Sequence, residues 1–447
     1  MEAHTSAAAG AIFGLDPMWL ATTILILTYA VIISEKLNRA IIALIGAMLM
    51  IMGGLLTQEQ AIAGIDFNTI GLLVGMMIIV SITRKSGLFE YLAIRSAKMV
   101  KASPAGILAM LAAVTAVASA FLDNVTTVLL MVPVTLAITE ALKVNPYPFL
   151  FSQVLASNIG GTATLIGDPP NILIGTLANL SFNQFVINLS PIIIVILAFH
   201  LASMHFLWGR KLNATAAARA HVMGFDERKA ITDPLLLKKA LAVVACVIAA
   251  FVTARFIGLE AGTIGMAGAA VLLLLDNMGH SAEHQSESVT KVFNEIEWIT
   301  IFFFIGLFAV IAGVEHAGVL SLLAHKLVEA TGGDMTLTGI GVLWASAVLS
   351  AIVDNIPFVA TMIPLIKAMA PSFGGADAIQ PLWWCLSLGA CLGGNGTLIG
   401  ASANLTVAGI AERNGVPFRF LTYTKTAFPL MLIHVAMCHV YIMWRYF

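Results

Sequence analysis

Two acid–amide pairs stand where a membrane offers them nothing to bind: Asp123-Asn124 and Asp354-Asn355 interrupt the middle of long apolar stretches, 104–142 and 335–370. A carboxylate at that depth costs about 3 kcal/mol or more unless it is paired, hydrated or protonated. Two chemistries suit such residues: each acid binds a proton or cation, or each caps a following helix through backbone N–H groups, and both can hold together. Asn124 and Asn355 carry neutral amides that coordinate an ion or hydrogen-bond a substrate oxygen without fixing a charge, or that close a turn. Thr126 and Thr127 add hydroxyls to the first pair, where Pro357 and Phe358 follow the second. The pocket is therefore expected to be chemically asymmetric.

A second set of polar groups follows each pair. Gly160-Gly161-Thr-Ala-Thr164 and Gly393-Gly394-Asn395-Gly-Thr397 cannot continue as ordinary helix without penalty, and Pro169-Pro170 removes further helical bonds. Each predicts a broken membrane helix whose half-ends present carbonyls to cations or N–H groups to oxyanions; small-residue packing is the plainer use of the glycines. Asn158, Thr164, Asn395 and Thr397 add side-chain oxygens at the same level. Asp168, in Gly167-Asp168-Pro169-Pro170-Asn171, is either a third acid in a proton path or a cap on the resumed helix, and its counterpart is Ala401. Asn171 and Asn404 recur in both segments. His200, His205, His434 and His439 are spaced i,i+5, which puts neither pair on one helix face and favours packing over metal binding. Cys246, Cys385, Cys391 and Cys438 are scattered, so neither disulfide nor zinc site is expected, and no cofactor or catalytic residue is assigned.

The elements that must hold these residues are membrane helices. Of 447 residues, 59% are hydrophobic and 11% charged, against about a quarter charged in soluble proteins. Net charge is −1 and no basic cluster is interleaved with aromatics, so nucleic acid is not an expected partner. Apolar runs predict ten crossings, near 17–34, 40–56, 68–83, 148–180, 185–208, 240–257, 262–278, 299–314, 383–410 and 426–446. The stretches 104–142 and 335–370 are read as re-entrant hairpins of two short helices each. With both termini outside, every Lys and Arg except Arg255, Lys326, Lys367 and Arg445 falls in a cytoplasmic segment, as the positive-inside rule requires. The first sixteen residues lack the pattern of a removable signal peptide, so the first span is expected to direct insertion.

The chain also repeats itself. Residues 120–133 align to 351–364 with six identities in fourteen, and 158–171 align to 391–404 with seven in fourteen. The offsets are 231 and 233, and Thr69-Ile70, Gly75, Gly87 and Leu92 recur at 231 as Thr300-Ile301, Gly306, Gly318 and Leu323. Each copy holds five crossings, so the second enters from the opposite side. The expected organisation is an N-terminal tail 1–16, a first inverted repeat 17–208, a cytoplasmic connector 209–239 and a second inverted repeat 240–447.

The Asp-Asn hairpins with Gly-Gly-Thr-Ala-Thr-Leu-Ile-Gly-Asp-Pro-Pro-Asn resemble the ArsB/NhaD permeases and the related melanosomal P protein of the ion-transporter superfamily. That resemblance implies a scaffold and a transport domain, elevator-like movement and a homodimer in, by expectation, a bacterial inner membrane. The expected function is secondary transport, with proton-coupled antiport of arsenite or antimonite leading. Asn124, Asn355, Thr164 and Thr397 would hold the hydroxide, and Asp123 and Asp354 would exchange protons, joined by Asp168 where it serves as the third acid and not as a cap. Sodium/proton antiport is the main alternative, then an anion channel. A dicarboxylate carrier is disfavoured because no arginine falls in either tip or break. An integral-membrane enzyme finds no nucleophile–base pair.

Overall fold

Helix-starting chemistry recurs along the chain, and the computed structural model, which describes residues 15–34 and 36–447, contains helices and no strand among them. Of the expected tail, only Leu15 and Asp16 lie within the described residues. Asp16-Pro17 and Asp233-Pro234 place a capping carboxylate before a proline at the first helical position; Asp16 accepts from the Met18 N–H at 2.8 Å and Asp233 from that of Leu235 at 2.9 Å. Ser181 and Gln184 form a capping box.

The first half comprises α1 (Pro17–Ile33), α2 (Arg39–Met52), α3 (Gln58–Ala63), α4 (Phe67–Arg84), α5 (Leu88–Met99), α6 (Pro104–Phe121), α7 (Asn124–Leu142), α8 (Tyr147–Gly161), α9 (Pro169–Leu177) and α10 (Phe182–Leu207). After α11 (Ala216–Met223), the second half comprises α12 (Pro234–Ile257), α13 (Ala261–Asn277), α14 (Ala282–Asn294), α15 (Trp298–His316), α16 (Val319–Ala330), α17 (Met335–Ile352), α18 (Asn355–Met369), α19 (Gln380–Gly393), α20 (Ser402–Arg413) and α21 (Phe420–Tyr446). The connector is structured: Glu227 pairs with Lys98 and, at 3.4 Å, with Arg95. The Lys98 hydrogen bond holds the Glu227 carboxyl below its usual range.

Among the described residues nine helices are long and apolar enough to cross a membrane, and all four hairpin arms are among them. The arms are thus nearly full-length helices, not the short ones expected, and re-entry is decided by level. α6 and α8 run parallel: Gln153 donates to Thr115 at 3.2 Å, Ser119 to the Ser157 carbonyl at 2.7 Å and Thr164 to the Ala120 carbonyl at 2.5 Å. The α6–α7 turn therefore stops at the break between α8 and α9, in mid-crossing. The α17–α18 turn does the same, with Ser350 donating to the Ala390 carbonyl at 2.6 Å and Thr397 to the Ala351 carbonyl at 2.5 Å. Polar backbone at that depth survives only in such protein surroundings.

The scaffold is built by exchange between halves. α2 lies along α15, and α4 along α13, each pair parallel. A second crossing parallel to the other half's third crossing is possible only if one repeat is inverted. Glycines allow these close crossings: a Cβ on Gly75 would sit 2.5 Å from the Gly265 carbonyl carbon, and one on its counterpart Gly306 would sit 2.5 Å from that of Ala43. The Gly46–Val310 and Gly268–Ile79 contacts repeat the same relation, which fixes α2 against α13 at an offset of 222.

Gly75→Ala and Gly306→Ala are each expected to destabilise the protein by about 1–3 kcal/mol, because backbone must move apart. Gly341→Ala, which meets nothing within 4 Å, should be neutral or gain up to about 1 kcal/mol. Melting curves in one detergent check this, and equal transitions for the three variants would refute the close-crossing account.

Candidate functional site

Each hairpin tip is a capped helix start carrying an acid. Asp123 accepts from the Thr126 N–H at 2.8 Å and from the Thr126 hydroxyl. Asp354 accepts from the Ile356 N–H at 3.1 Å through Oδ1, leaving Oδ2 for other partners. Asp168 precedes α9 but makes no cap hydrogen bond. Its side chain is fully buried, accepts from Asn124 Nδ2 at 3.2 Å through Oδ1, and has no partner on Oδ2.

A chain of amides crosses the centre. Asn124 Nδ2 donates to Asn158 Oδ1 at 2.9 Å, and Asn158 Nδ2 donates to Asn395 and Asn404 at 2.9 Å each. These four side chains join the first tip to both broken helices in a region sealed from water. Asn171 and Asn404 serve the breaks themselves: Asn171 donates to the Thr162 and Thr164 carbonyls at 3.1 and 2.9 Å, and Asn404 to those of Gly394 and Thr397 at 2.7 and 2.8 Å. Carbonyls freed by the break are thereby paired internally.

Around this core lies a cavity of about 30 Å³ lined by Arg39, Asp123, Asn124, Asp168, Glu297, Thr300, Asn355 and Ser402. That is room for about one water or small ion. Asn124 Oδ1, Asp168 Oδ2 and Asn355 Nδ2 have no hydrogen-bond partner although buried, and such groups need one. Arg39 Nη1 reaches Asp354 Oδ2 at 2.8 Å and Ser402 at 2.9 Å, while Nη2 donates to Thr300 at 3.1 Å. Thr300 in turn donates to Glu297 at 3.1 Å. One guanidinium thus faces four carboxyl groups. The starts of α7, α9, α18 and α20 and the ends of α6, α8, α17 and α19 meet here in equal number, so their partial charges offset one another. Side chains decide the balance, and it is acidic.

The structure gathers Asp123, Asp168, Asn124 and Asn355 on this cavity, while Asp354, bonded to Arg39, lines the adjoining 380 Å³ cavity. Asn158 and Asn395 stand just behind it in the amide chain. Thr164 and Thr397 instead donate to hairpin carbonyls, clamping tip to break. Gly160 and Gly393 are packing positions: a Cβ would lie 2.0 and 2.4 Å from the Ala116 and Ala347 carbonyl oxygens. Gly161 and Gly394 lie against the Gly167 and Gly400 carbonyls. Thr126 lines a neighbouring cavity of about 240 Å³ with Arg84, Glu295 and Glu297; the Thr127 hydroxyl is buried without a partner. His200 and His434 approach each other from separate helices, ring centroids 6.2 Å apart, a pairing that within-helix spacing does not address.

Four residues absent from the sequence-based site belong to it: Arg39, Glu297, Thr300 and Ser402. Arg39, counted above with the loop charges, is the first residue of α2 and supplies the arginine that tips and breaks lack. Glu297 and Thr300 carry a readable signal: Ile65-Asp66-Phe67-x-Thr69-Ile70 recurs as Ile296-Glu297-Trp298-x-Thr300-Ile301 at the same offset of 231. Extending the repeat four residues upstream would have found the acid.

Comparison with known proteins places this geometry. The family described as citrate transporter (CitMHS) matches residues 29–389. Uncharacterized transporters of Mycobacterium bovis and Mycobacterium tuberculosis are 40% identical over 432 residues, 96% of this chain and 98% of theirs. The P protein of Homo sapiens is 31% identical over 504 residues, covering 94% of this chain and 59% of that protein, in line with the expected resemblance. The crystal structure of the Alcanivorax borkumensis YdaH transporter, described as having an unusual topology, shares the fold with a TM-score of 0.61 at 14% identity, covering 97% of this chain and 99% of that one. On the family match and the near full-length relatives together, the chain belongs to the citrate transporter family and is a membrane transporter.

Proposed function

We propose that this transporter exchanges a small monovalent cation, Na⁺, for protons at the cavity between the hairpin tips, with its basic face in the cytoplasm. One observation carries the reading: two buried oxygens without donors, Asn124 Oδ1 and Asp168 Oδ2, sit on hydrogen-bonded side chains beside a one-water cavity. Oxygen ligands without hydrogens suit a hard cation or a proton. Three of the four carboxyl groups lack a cationic partner, and buried acids of that kind must be neutralised. Arsenite draws support from the neutral amides alone, and a neutral trihydroxide leaves the unpaired carboxyl groups without a counter-charge.

A second reading, a citrate-like carboxylate, is favoured by Arg39 and by the family's description. It requires Arg39 to leave Asp354 and a multiply charged anion to settle among unneutralised acids, which Coulomb repulsion opposes. Reconstituted protein separates the readings. An imposed Na⁺ gradient is expected to move protons, and Asp168→Asn to reduce that movement at least about tenfold, a rise of about 1.4 kcal/mol in the barrier. Citrate or arsenite uptake unaffected by Asp168→Asn, with no Na⁺-driven proton movement, would overturn the proposal.

Orientation has its own check. A reporter fused after Phe447 is expected to be active only outside the cytoplasm, and one placed in the 209–239 segment only inside; the reverse pattern would invert the proposed faces.

A further inference from the structure

The two hairpin acids occupy equivalent positions in sequence and unequal ones in space. By the offset of 222 that relates α2 to α13, the residue corresponding to Arg39 is Ala261. Asp354 therefore has a fixed counter-ion and Asp123 has none. In this structure Asp123 bonds only its own hairpin, through Thr126.

The halves also meet their neighbours out of step. At the end of α4 remote from the basic face, Thr69 touches Thr176 near the end of α9, Oγ1 to Oγ1 2.6 Å. Repeat symmetry would pair Thr300 with Gly409. Instead Thr300 shares the Arg39 guanidinium with Ser402, the first residue of α20 and seven residues earlier than Gly409. Seven residues of helix rise about 10 Å. The unit containing hairpins and broken helices is thus displaced along the scaffold toward the basic face. The cavities agree. The central one shares Glu297 with a 240 Å³ cavity and Arg39 with a 380 Å³ cavity, both at that end. It shares no residue with the 250 Å³ cavity at the other end, lined by Asn68, Thr176, Arg255 and Glu260.

We propose that Arg39 is a state-selective counter-ion: it neutralises Asp354 only when the hairpin unit is displaced toward the basic face, so it holds that state and displaces a cation from Asp354 there. In the opposite displacement, Asp123 comes to the α4–α13 pair, where Ala261 offers no charge. With Arg255, which lines the cavity at that end, held by Gln184 at 3.0 Å, the Asp123 carboxylate is left to carry a proton or cation in that state. The two half-cycles then differ in what neutralises the moving acid, and this asymmetry lives in one residue of the scaffold. The inference rests on the cation-exchange reading for what is displaced, but not for the lock itself.

Cross-linking reads the lock without measuring transport. With Cys246, the exposed native cysteine, replaced by serine, the pair Thr69→Cys and Thr176→Cys should cross-link readily in the state described. Arg39→Gln is expected to reduce its cross-linking at least about fivefold, the lower end of ordinary conformational coupling. Asp354→Asn should do the same, and combining the two should add nothing further. Arg39→Lys should restore much of the cross-linking, which a mere folding defect at this position would not do in parallel with unchanged elution of the purified protein. Equal cross-linking with and without Arg39→Gln, or additive losses in the double variant, overturns the proposal. A lock that responds to Arg39→Gln while no Na⁺-driven proton movement is found leaves this inference standing and removes the cation-exchange reading.

Discussion

Internal satisfaction of interrupted backbone is the constraint on which the rest of this structure depends. Two crossings are broken at mid-depth, and each break frees carbonyls and N–H groups where no water can reach them. Asn171 and Asn404 bridge the carbonyls, Thr164 and Thr397 tie each break to the adjacent hairpin, and Asn158 joins both breaks to the first tip through Asn124, Asn395 and Asn404. Without that network the breaks would carry unpaired groups costing about 1–3 kcal/mol each. With it, the hairpins and broken helices form one polar-cored unit. With those bonds made, three buried atoms on the central cavity remain without partners: Asn124 Oδ1, Asp168 Oδ2 and Asn355 Nδ2.

Packing follows from the same economy of contact. Gly160 and Gly393 let the broken helices approach the hairpin backbones, and Gly75 and Gly306 let the scaffold helices cross tightly. The hairpin and broken-helix unit and the helices beside it are each internally close-packed, and polar contacts join them as well as apolar ones: Arg39 with Asp354 and Ser402, Thr69 with Thr176, and Tyr29 with the Pro357 carbonyl at 2.8 Å. Polar contacts exchange more readily than interdigitated apolar ones, because their partners can be replaced by water, a proton or an ion.

Much of this is legible in the sequence for a definite reason. A charged or amide residue inside an apolar run has no local excuse, so Asp123-Asn124, Asp354-Asn355 and the Gly-Gly breaks announce themselves, and their recurrence at 231 and 233 gives the inversion. Arg39 does not announce itself, because beside Lys36 it reads as a loop charge; what makes it a site residue is a contact with Asp354, 315 positions away. Thr164 and Thr397 mislead in the other direction. A hydroxyl beside a break looks like a ligand, and only the parallel course of hairpin and broken helix shows that a backbone carbonyl already takes its proton. The length of the hairpin arms is likewise set by packing, since helix propensity cannot register where a tip meets a neighbour.

The repeats agree where backbone must be held and differ where charge must be handled. Asp168 stands against Ala401, Arg39 against Ala261, and Thr126-Thr127 against Pro357-Phe358. A symmetric pair of half-sites would give two displaced states equal energies and equal affinities, and a ligand with equal affinity for both states shifts nothing. Each substitution that breaks the symmetry therefore gives bound charge a preferred side. Arg39 lies on α2 and Asp168 beside the first break, so under the proposed displacement one would bias where the hairpin unit rests and the other would travel with the cavity. An inverted repeat supplies the positions at which a single residue change introduces either kind of bias.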